Sequence, residues 1–190
     1  MNPRELHEGD ALLVVDVQND FCPGGALPIS DGDRVVPVLN DWLAAAVAGG
    51  IPVYASRDWH PLGHPSFRDE GGPWPPHCIQ DTPGAAFHPD LRLPPNVVKV
   101  TKGTRFDQDQ YSAFDHTGLH RRLERDGVRR ILVGGLAQDV CVCATALDAR
   151  TLGYEVHLIP GGSLPVTREG GADALRRMRE AGIAIADSAA

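Results

Sequence analysis

One cysteine of the sequence has the position of a nucleophile. Cys141 follows an apolar run over residues 130–133 and precedes a helical pattern over 144–152, which places it in the first turn of a helix. The free N–H groups of that turn and the positive end of the helix dipole favour the thiolate, the nucleophilic form of cysteine. The alternative is a small buried apolar residue, which is the usual role of a free cysteine.

Two charged residues could assist such a nucleophile. Asp16 lies in the apolar run 11–17, and Lys102 follows a short apolar run over 97–100. A carboxylate in apolar surroundings is costly unless it is paired, and beside a cysteine it can accept the thiol proton. A lysine near both would balance the carboxylate and stabilise a thiolate. Together with Cys141 they supply what covalent acyl transfer requires, although separately they could be a cap and a solvated surface charge.

A second group of side chains has the donor types of a transition-metal site. Asp58 and His60 are two residues apart at the end of a predicted strand, so both can point to one face. His77 can return from the long loop that follows, and His64 is an additional candidate ligand. One carboxylate and two imidazoles suit a divalent transition metal and leave coordination positions open. The alternative is a group of ordinary polar surface residues.

Strand and helix patterns alternate along the chain. The predicted strands cover residues 11–17, 51–56, 97–100, 130–134, 154–159 and 183–186, and the predicted helices cover 33–48, 117–125, 139–152 and 169–181. Hydrophobic strands joined by helices predict an α/β fold, a single-domain three-layer α/β/α architecture with a mostly parallel six-stranded sheet. Ligand sites of such sheets lie beyond the carboxyl ends of the strands, where the two candidate carboxylates, the lysine and the cysteine all fall.

A long loop over residues 57–96 has no clear period and is rich in Pro, Gly and His. It is long for a structureless connection, and such loops are usually functional or disordered. Its tryptophans, Trp59 and Trp74, argue against disorder. We therefore expect an ordered functional loop that carries the candidate metal ligands.

The composition limits the class of protein. The chain has 190 residues, 42% of them hydrophobic, which suits one compact domain. A net charge of −7 without a long basic run argues against binding to nucleic acid or to an acidic membrane. No segment has the about 20 apolar residues of a spanning helix, and residues 1–10 lack the apolar core of a signal peptide. Four cysteines in a chain of this length are not a disulfide framework, so we expect a soluble cytoplasmic protein with reduced thiols. The sequence leaves open whether it forms a homo-oligomer.

Five short motifs occur in order along the chain. They are DVQNDF (16–21), DWH (58–60), WPPHC (74–78), TKG (101–103) and GLAQDVC (135–141). Together they resemble the nicotinamidases, which are isochorismatase-like cysteine hydrolases, and the segment 74–88 is particularly similar. The resemblance implies a single isochorismatase-like hydrolase domain over residues 1–190, with a core at about 11–187 and metal ligands in the loop 57–96.

The resemblance implies hydrolysis of nicotinamide to nicotinate and ammonia, in the salvage of NAD, with pyrazinamide as a further substrate. Cys141 would attack the amide carbonyl to form an acyl-enzyme. Asp16 would accept the thiol proton, and Lys102 would stabilise the charges between them. Backbone N–H groups of Ala137 and Cys141 would form the oxyanion hole, and the peptide bond between Leu136 and Ala137 would be cis.

The resemblance also assigns a metal and a ring pocket. Asp58, His60 and His77 would hold one divalent transition metal, for which zinc, iron and manganese are all suitable, and a histidine near His64 binds in some members. This metal would bind the ring nitrogen of the substrate. Aromatic and apolar side chains would form a slot for the flat ring, with core packing as the alternative reading of each. These substrate-binding residues would be Phe21, Leu27, Trp74, Tyr111 and Leu136.

Two positions depart from the family pattern. Val140 stands where relatives often carry a histidine or tyrosine, and Cys143 stands where many carry a lysine or arginine. We expect Cys143 to be passive, with a Cys-x-Cys redox or metal site as the alternative. Cys22 and Cys78 are expected to be buried thiols.

Other functions fit the sequence less well. Another amidase of the superfamily, acting on carbamoyl or ureido compounds, is the main alternative, and the segment around His77 argues against it. A non-catalytic metal-binding module would not need Asp16, Lys102 and Cys141 together. A redox protein would depend on Cys141 and Cys143.

Overall fold

Within residues 5–186, the part of the chain that the computed structural model describes, six strands form one sheet. The strands are β1 Asp10–Val15, β2 Val53–Asp58, β3 Val98–Lys102, β4 Arg130–Leu136, β5 Glu155–Leu164 and β6 Ala184–Ile185. Their order is β3-β2-β1-β4-β5-β6, and each neighbouring pair is parallel. All six residues of β1 are buried, as expected for a central strand covered on both faces. The predicted parallel α/β sheet is confirmed.

Helices cover both faces of the sheet. The α-helices of the described residues are α1 Val35–Ala48, α2 Leu119–Arg125, α3 Cys143–Thr151 and α4 Arg168–Glu180. Alternate residues of β1 point to opposite faces: Leu12 packs in the cluster that includes α1, and Leu13 packs in the cluster that includes α2, α3 and α4. This gives the three predicted layers. None of the helices described has the length and apolar character that crossing a membrane requires.

Several elements differ from their predicted bounds. Strand β1 ends before Asp16, whose φ of 48° lies in the left-handed region and so breaks the strand. Strand β5 continues to Leu164, beyond its predicted end at residue 159. The helix predicted from residue 139 begins as a π-helical turn, Gln138–Val142, before α3. Val47, at the helical spacing of buried residues in α1, is 58% exposed.

The loop 57–96 is ordered by local contacts, as expected. Isolated bridges connect His60 with Ile79, and Phe67 with Trp74. Three imidazole rings lie around Phe67 in its interior, so polar groups fill much of the space that apolar side chains fill elsewhere. The interior of the loop therefore contains polar groups that could bind a ligand.

The ends of the predicted domain, residues 1–4 and 187–190, lie outside the described residues. The boundary expected at residue 187 and the first part of the segment 1–10 are among them. The core expected from residue 11 onward is otherwise described.

Candidate active site

Parallel strands bring four candidate residues to one edge of the sheet. Asp58 and Lys102 are the last residues of β2 and β3, and they are direct partners in the strand register. Asp16 follows β1, which lies between β2 and β4. Cys141 follows β4 in the π-helical turn. The carboxyl ends of these neighbouring strands therefore meet at the place where α/β proteins bind ligands.

Lys102 lies at the centre of this group and is fully buried. Its Nζ is 2.8 Å from Asp16 Oδ2 and 2.6 Å from Asp58 Oδ1. It also donates to the carbonyl oxygen of Gln110 at 3.2 Å and to Cys141 Sγ at 3.5 Å. Burial opposes the charged form, but the two carboxylates outweigh it and raise the pKa of Lys102 well above its usual value. The lysine is therefore a permanent cation between two carboxylates.

Asp16 has the environment of a proton acceptor. Its Oδ2 is held by the ion pair with Lys102 rather than by a well-directed hydrogen bond. Its Oδ1 accepts a hydrogen bond from Ser56 Oγ at 2.7 Å. Burial is the main reason that the pKa of Asp16 is raised, and Asp58 adds to it while Lys102 opposes it. Ser56 was not among the predicted residues, although it lies two positions before Asp58 on the same face of β2.

The Cys141 thiol is protonated in this environment. Burial is the largest cause of a pKa well above the usual cysteine value, the carboxylates of Asp16 and Asp58 add to it, and Lys102 opposes it. The expectation that a helix N-terminus would favour the thiolate is therefore wrong for the resting protein. The residue lies in a π-helical turn, and desolvation of the anion is the largest influence on its pKa. A base is needed before this thiol can attack.

The turn that carries Cys141 is anchored at Ala137. Backbone N–H groups of Val140 and Val142 both donate to the carbonyl oxygen of Ala137, at 3.1 Å and 3.0 Å. The Leu136–Ala137 peptide bond is cis, as the family resemblance implied. Ala137 and Cys141 both line the same cavity, so their backbone groups border the space that a substrate would occupy.

Asp58, His60 and His77 form a group that suits a metal ion. One ligand atom from each lies within 4.8 Å of the other two. The Nδ1 atoms of His60 and His77 lie 2.8 Å from the carbonyl oxygens of Gly103 and Pro75. Because a carbonyl can only accept, each Nδ1 carries the hydrogen and each Nε2 presents a lone pair. Burial lowers the pKa of His60 to about 4, which keeps this ring neutral at neutral pH, as metal binding requires.

His64 lies beside this group. It is fully buried, and its Nδ1 is 2.7 Å from Ser66 Oγ. Its Nε2 has no hydrogen-bond partner in the described part of the chain. With His60 and Asp109 it forms a second set of donors within 4.8 Å of one another. Asp109 was not predicted, although it lies two residues before the candidate Tyr111.

A cavity of about 490 Å³, including its open mouth, lies between the metal-ligand group and Cys141. Its walls include four of the predicted substrate-binding residues, Phe21, Leu27, Trp74 and Tyr111. Tyr111 is 38% exposed and its hydroxyl accepts a hydrogen bond from Trp74 Nε1 at 3.1 Å, so these two rings support each other at the rim. A flat aromatic ring fits such walls.

Leu136 is a correction to the predicted pocket. It is fully buried and does not line the cavity. As the last residue of β4 it points to the α1 side of the sheet, where it joins the apolar core. Sequence reasoning also missed apolar walls contributed by loops that are distant in the chain. These residues are Pro28, Ile29 and Val166, and Val140 lines the cavity as well.

The other cysteines are free and buried. Cys143 packs in the apolar core around α3, and burial raises its pKa. Burial also raises the pKa of Cys22 to about 11. Cys78 adjoins His77 but belongs to none of the metal-ligand groups found within residues 5–186. The structure thus places these three thiols in structural positions.

Comparison with known proteins identifies the family. The sequence model of the isochorismatase domain matches residues 10–190. The nicotinamidase of Escherichia coli strain K12 is 36% identical over 198 residues, which cover 92% of this chain and 93% of that protein. The pyrazinamidase of Pyrococcus horikoshii, solved in complex with zinc, is 43% identical with a TM-score of 0.91 and coverage of 95% and 99%. PnC1 from L. infantum, solved with nicotinate, is 36% identical with a TM-score of 0.85 and coverage of 93% and 91%. The chain therefore belongs to the isochorismatase family, as the motifs indicated.

Proposed function

We propose that this protein is a metal-dependent amidohydrolase that converts nicotinamide to nicotinate and ammonia. The observation that carries the proposal is one cavity lined both by Cys141, behind which Lys102 and Asp16 are buried, and by the Asp58–His60–His77 group. The first group suits acyl transfer and the second suits a metal that holds a ring nitrogen. Relatives named nicotinamidase and pyrazinamidase support the same substrate class.

Cys141 is the nucleophile in the proposed reaction, and Asp16 is the base. Because burial holds the thiol protonated and also raises the pKa of Asp16, the carboxylate accepts the thiol proton as the sulfur attacks the amide carbon. Asp16 then gives this proton to the departing nitrogen, and ammonia leaves as the thioester forms. Asp16 then takes a proton from water, whose oxygen attacks the thioester carbon; the bond to the Cys141 sulfur breaks, Asp16 returns the proton to the sulfur, and nicotinate is released.

Lys102 keeps the charges of this cycle in balance. Its ammonium group contacts Asp16, Asp58 and the sulfur, so it opposes the negative charge wherever the proton lies. The backbone N–H groups of Ala137 and Cys141 are the proposed donors to the carbonyl oxygen as it becomes an oxyanion, an effect that can contribute about 3 kcal/mol or more.

Asp58, His60 and His77 are the proposed ligands of one divalent transition metal, namely zinc, iron or manganese, and His64 is a further candidate. When bound, the metal supplies a Lewis-acid site for the ring nitrogen of the substrate. The unpartnered Nε2 of His64 and the free lone pairs of the two other rings support a cation here. The relative from Pyrococcus horikoshii was solved with zinc, which favours that ion.

Phe21, Leu27, Trp74 and Tyr111 form the proposed slot for the ring. Pyrazinamide has the same amide and also a ring nitrogen, so it fits as a second substrate. The reaction removes the amide of a nicotinamide ring and delivers the free acid, which is consistent with a step in NAD salvage.

The test is ammonia release from nicotinamide with metal content quantified. We expect wild type to release ammonia and Cys141→Ala to be inactive with an unchanged fold. Cys143→Ala is the matched control, because it removes a buried thiol two residues away and should remain active. Turnover by Cys141→Ala at the wild-type rate would refute the acyl-enzyme. No release from metal-replete, reduced wild type would refute the substrate.

A further inference from the structure

The segment that follows Asp16 carries two buried side chains that the proposed reaction does not use. Gln18 is fully buried, and Asp20 is only 9% exposed. Gln18 hydrogen-bonds to backbone groups of Asp58 and Ala85, and Asp20 accepts a hydrogen bond from the N–H of Cys78. Both side chains therefore bind backbone groups of the distant loop 57–96. Polar side chains buried in this way are fully committed to the groups they contact.

The side-chain amide of Gln18 pairs with the backbone of Asp58 where a neighbouring strand would otherwise pair with it. Strand β1 stops at Val15, which is paired with Ser56, and the N–H of Asp16 donates to the Ser56 carbonyl at 3.1 Å. Two residues further along β2, the backbone of Asp58 faces the same side, where β1 no longer runs. There Gln18 Oε1 accepts from the Asp58 N–H at 2.8 Å, and Gln18 Nε2 donates to the Asp58 carbonyl at 2.7 Å.

The same amide reaches a second part of the loop. Gln18 Nε2 also donates to the carbonyl oxygen of Ala85 at 2.9 Å. A side-chain amide is suited to this position because it has an acceptor and two donors in one plane. Loss of the amide would leave an N–H and two carbonyls of this interior without partners, and Asp58 would lose its support on the side opposite Lys102.

Asp20 makes the corresponding contact beside His77. Its Oδ2 accepts from the N–H of Cys78 at 2.7 Å, and its Oδ1 accepts from the N–H of Ala26 at 3.0 Å. Cys78 has a φ of 45°, and its carbonyl accepts from the N–H of His60 at 2.9 Å. The carboxylate therefore holds an otherwise unfavourable backbone conformation immediately after one ligand and beside another.

Gly84 shows how closely the Asp20 carboxylate is enclosed. A Cβ atom at Gly84 would lie 2.3 Å from Asp20 Oδ2 and 2.4 Å from Oδ1. Such distances are far below van der Waals contact, so any side chain at this position displaces the carboxylate. Gly84→Ala thus perturbs Asp20 without changing it.

We propose that Gln18 and Asp20 are positioning residues that fix the spacing of the metal ligands, Gln18 through Asp58 and Asp20 through the His77–Cys78 segment. The inference rests on the proposed metal site. It assigns to one short segment, directly after the candidate base Asp16, the task of holding together two ligand segments that are far apart in sequence. The reactive group of Asp16, Lys102 and Cys141 does not contact either side chain through a side-chain hydrogen bond.

The test is the dissociation constant for zinc, measured by competition with a chromophoric chelator, for wild type and Gln18→Leu. We expect zinc binding to weaken by about 10–100-fold, the range typical for partners of metal ligands. Asn40→Leu is the matched control. Asn40 also uses its amide to donate to one loop carbonyl (Asp90) and accept from one loop N–H (Arg92), but it does so away from the ligands. Its zinc affinity should equal that of wild type.

Activity at saturating zinc separates positioning from a general loss of structure. Gln18→Leu should then recover kcat to within a few-fold, while a collapsed site would not recover. If Gln18→Leu fails to fold, Asp20→Asn and Gly84→Ala replace it, with the same expected loss of zinc affinity. Folded variants that bind zinc as tightly as wild type would overturn the inference. A wild-type protein that binds no zinc, iron or manganese would instead overturn the metal part of the proposed function.

Discussion

Replacing Lys102 with methionine should destabilise the protein strongly and in a pH-dependent way. Lys102→Met keeps a long unbranched side chain but removes the cation from between Asp16 and Asp58, 2.8 Å and 2.6 Å from their nearest oxygens. Asp16 is fully buried and Asp58 is 4% exposed, so water cannot replace the lost charge. Removing one partner of a buried ion pair costs about 3–5 kcal/mol. We expect the free energy of unfolding of metal-free protein to fall by that amount at neutral pH.

The loss should shrink as the pH falls. Burial already raises the pKa of Asp16 above its usual value of 3.8, and without the opposing lysine it rises further. A carboxyl with a raised pKa binds more protons in the folded state, so its contribution to stability increases from neutral pH downward. Asp58 acts in the opposite sense in wild type: burial raises its pKa, but Lys102 together with His60 and His77 outweighs burial and lowers it. Because the pKa of Asp58 lies below 3.8, wild type loses the benefit of that pair only in more acidic solution. Between pH 7.5 and 5.5 the two proteins converge because Asp16 of the variant takes up a proton.

Urea unfolding followed by tryptophan fluorescence at pH 7.5 and 5.5, with chelator present, measures both effects. Lys99→Met is the matched control, because Lys99 lies on the same strand but is exposed and should change stability by less than about 0.5 kcal/mol. The double variant Asp16→Asn/Lys102→Met should recover part of the loss. A loss below about 1 kcal/mol, or a gap that widens towards pH 5.5, would refute a charged lysine paired with buried carboxylates.

Three further predictions concern catalysis and the metal. Asp16→Asn should lower kcat by about 100–10,000-fold, because it removes the base. It should also lower the pKa of Cys141, measured by thiolate absorbance, because it removes a nearby negative charge. Unchanged kcat would exclude Asp16 as the base. Gly103→Ala should weaken zinc binding at least about tenfold, since its Cβ would lie 2.5 Å from His60 Cε1. Gly118→Ala, with φ of 78° and no atom nearby, controls for backbone strain and should bind normally. Exhaustive chelation should raise KM for nicotinamide, and re-added zinc should restore it; unchanged kinetics would contradict a metal that holds the ring.

The pattern of the sequence was enough to locate the edge of the sheet. Asp58 and Lys102 each end an apolar run, and the parallel arrangement of those runs follows from their alternation with helices. Once the strands are parallel, their carboxyl ends must lie together. That argument places Asp16, Lys102 and Cys141 near one another without any knowledge of side-chain positions, and the structure agrees.

Burial at the site could not be predicted in the same way. A helix N-terminus predicts a thiolate only where water can reach the sulfur, and the sequence does not show that Cys141 is 6% exposed among other charges. Leu136 is apolar, as a residue of a pocket wall often is. The side of the sheet to which its side chain points depends on the register of β4, which the sequence does not show. Partners such as Ser56 and Asp109 were missed because polar residues on a strand and in a loop have no distinctive local pattern.

Asp58 connects the two halves of the site, and this limits which experiments can separate them. Its Oδ1 contacts Lys102, and its Oδ2 lies 3.8 Å from His60 Nε2. When both carboxyls are ionised, the buried side chains of Asp16, Asp58 and Lys102 carry one more negative than positive charge, and His60, whose pKa burial lowers to about 4, adds no positive charge at neutral pH. Substitution of Asp58 would therefore alter metal binding and the lysine that supports the nucleophile at once. Within residues 5–186 the side chains of Gln18 and Asp20 hydrogen-bond only to backbone groups, so their variants can change metal affinity while every charge of the reactive group stays in place.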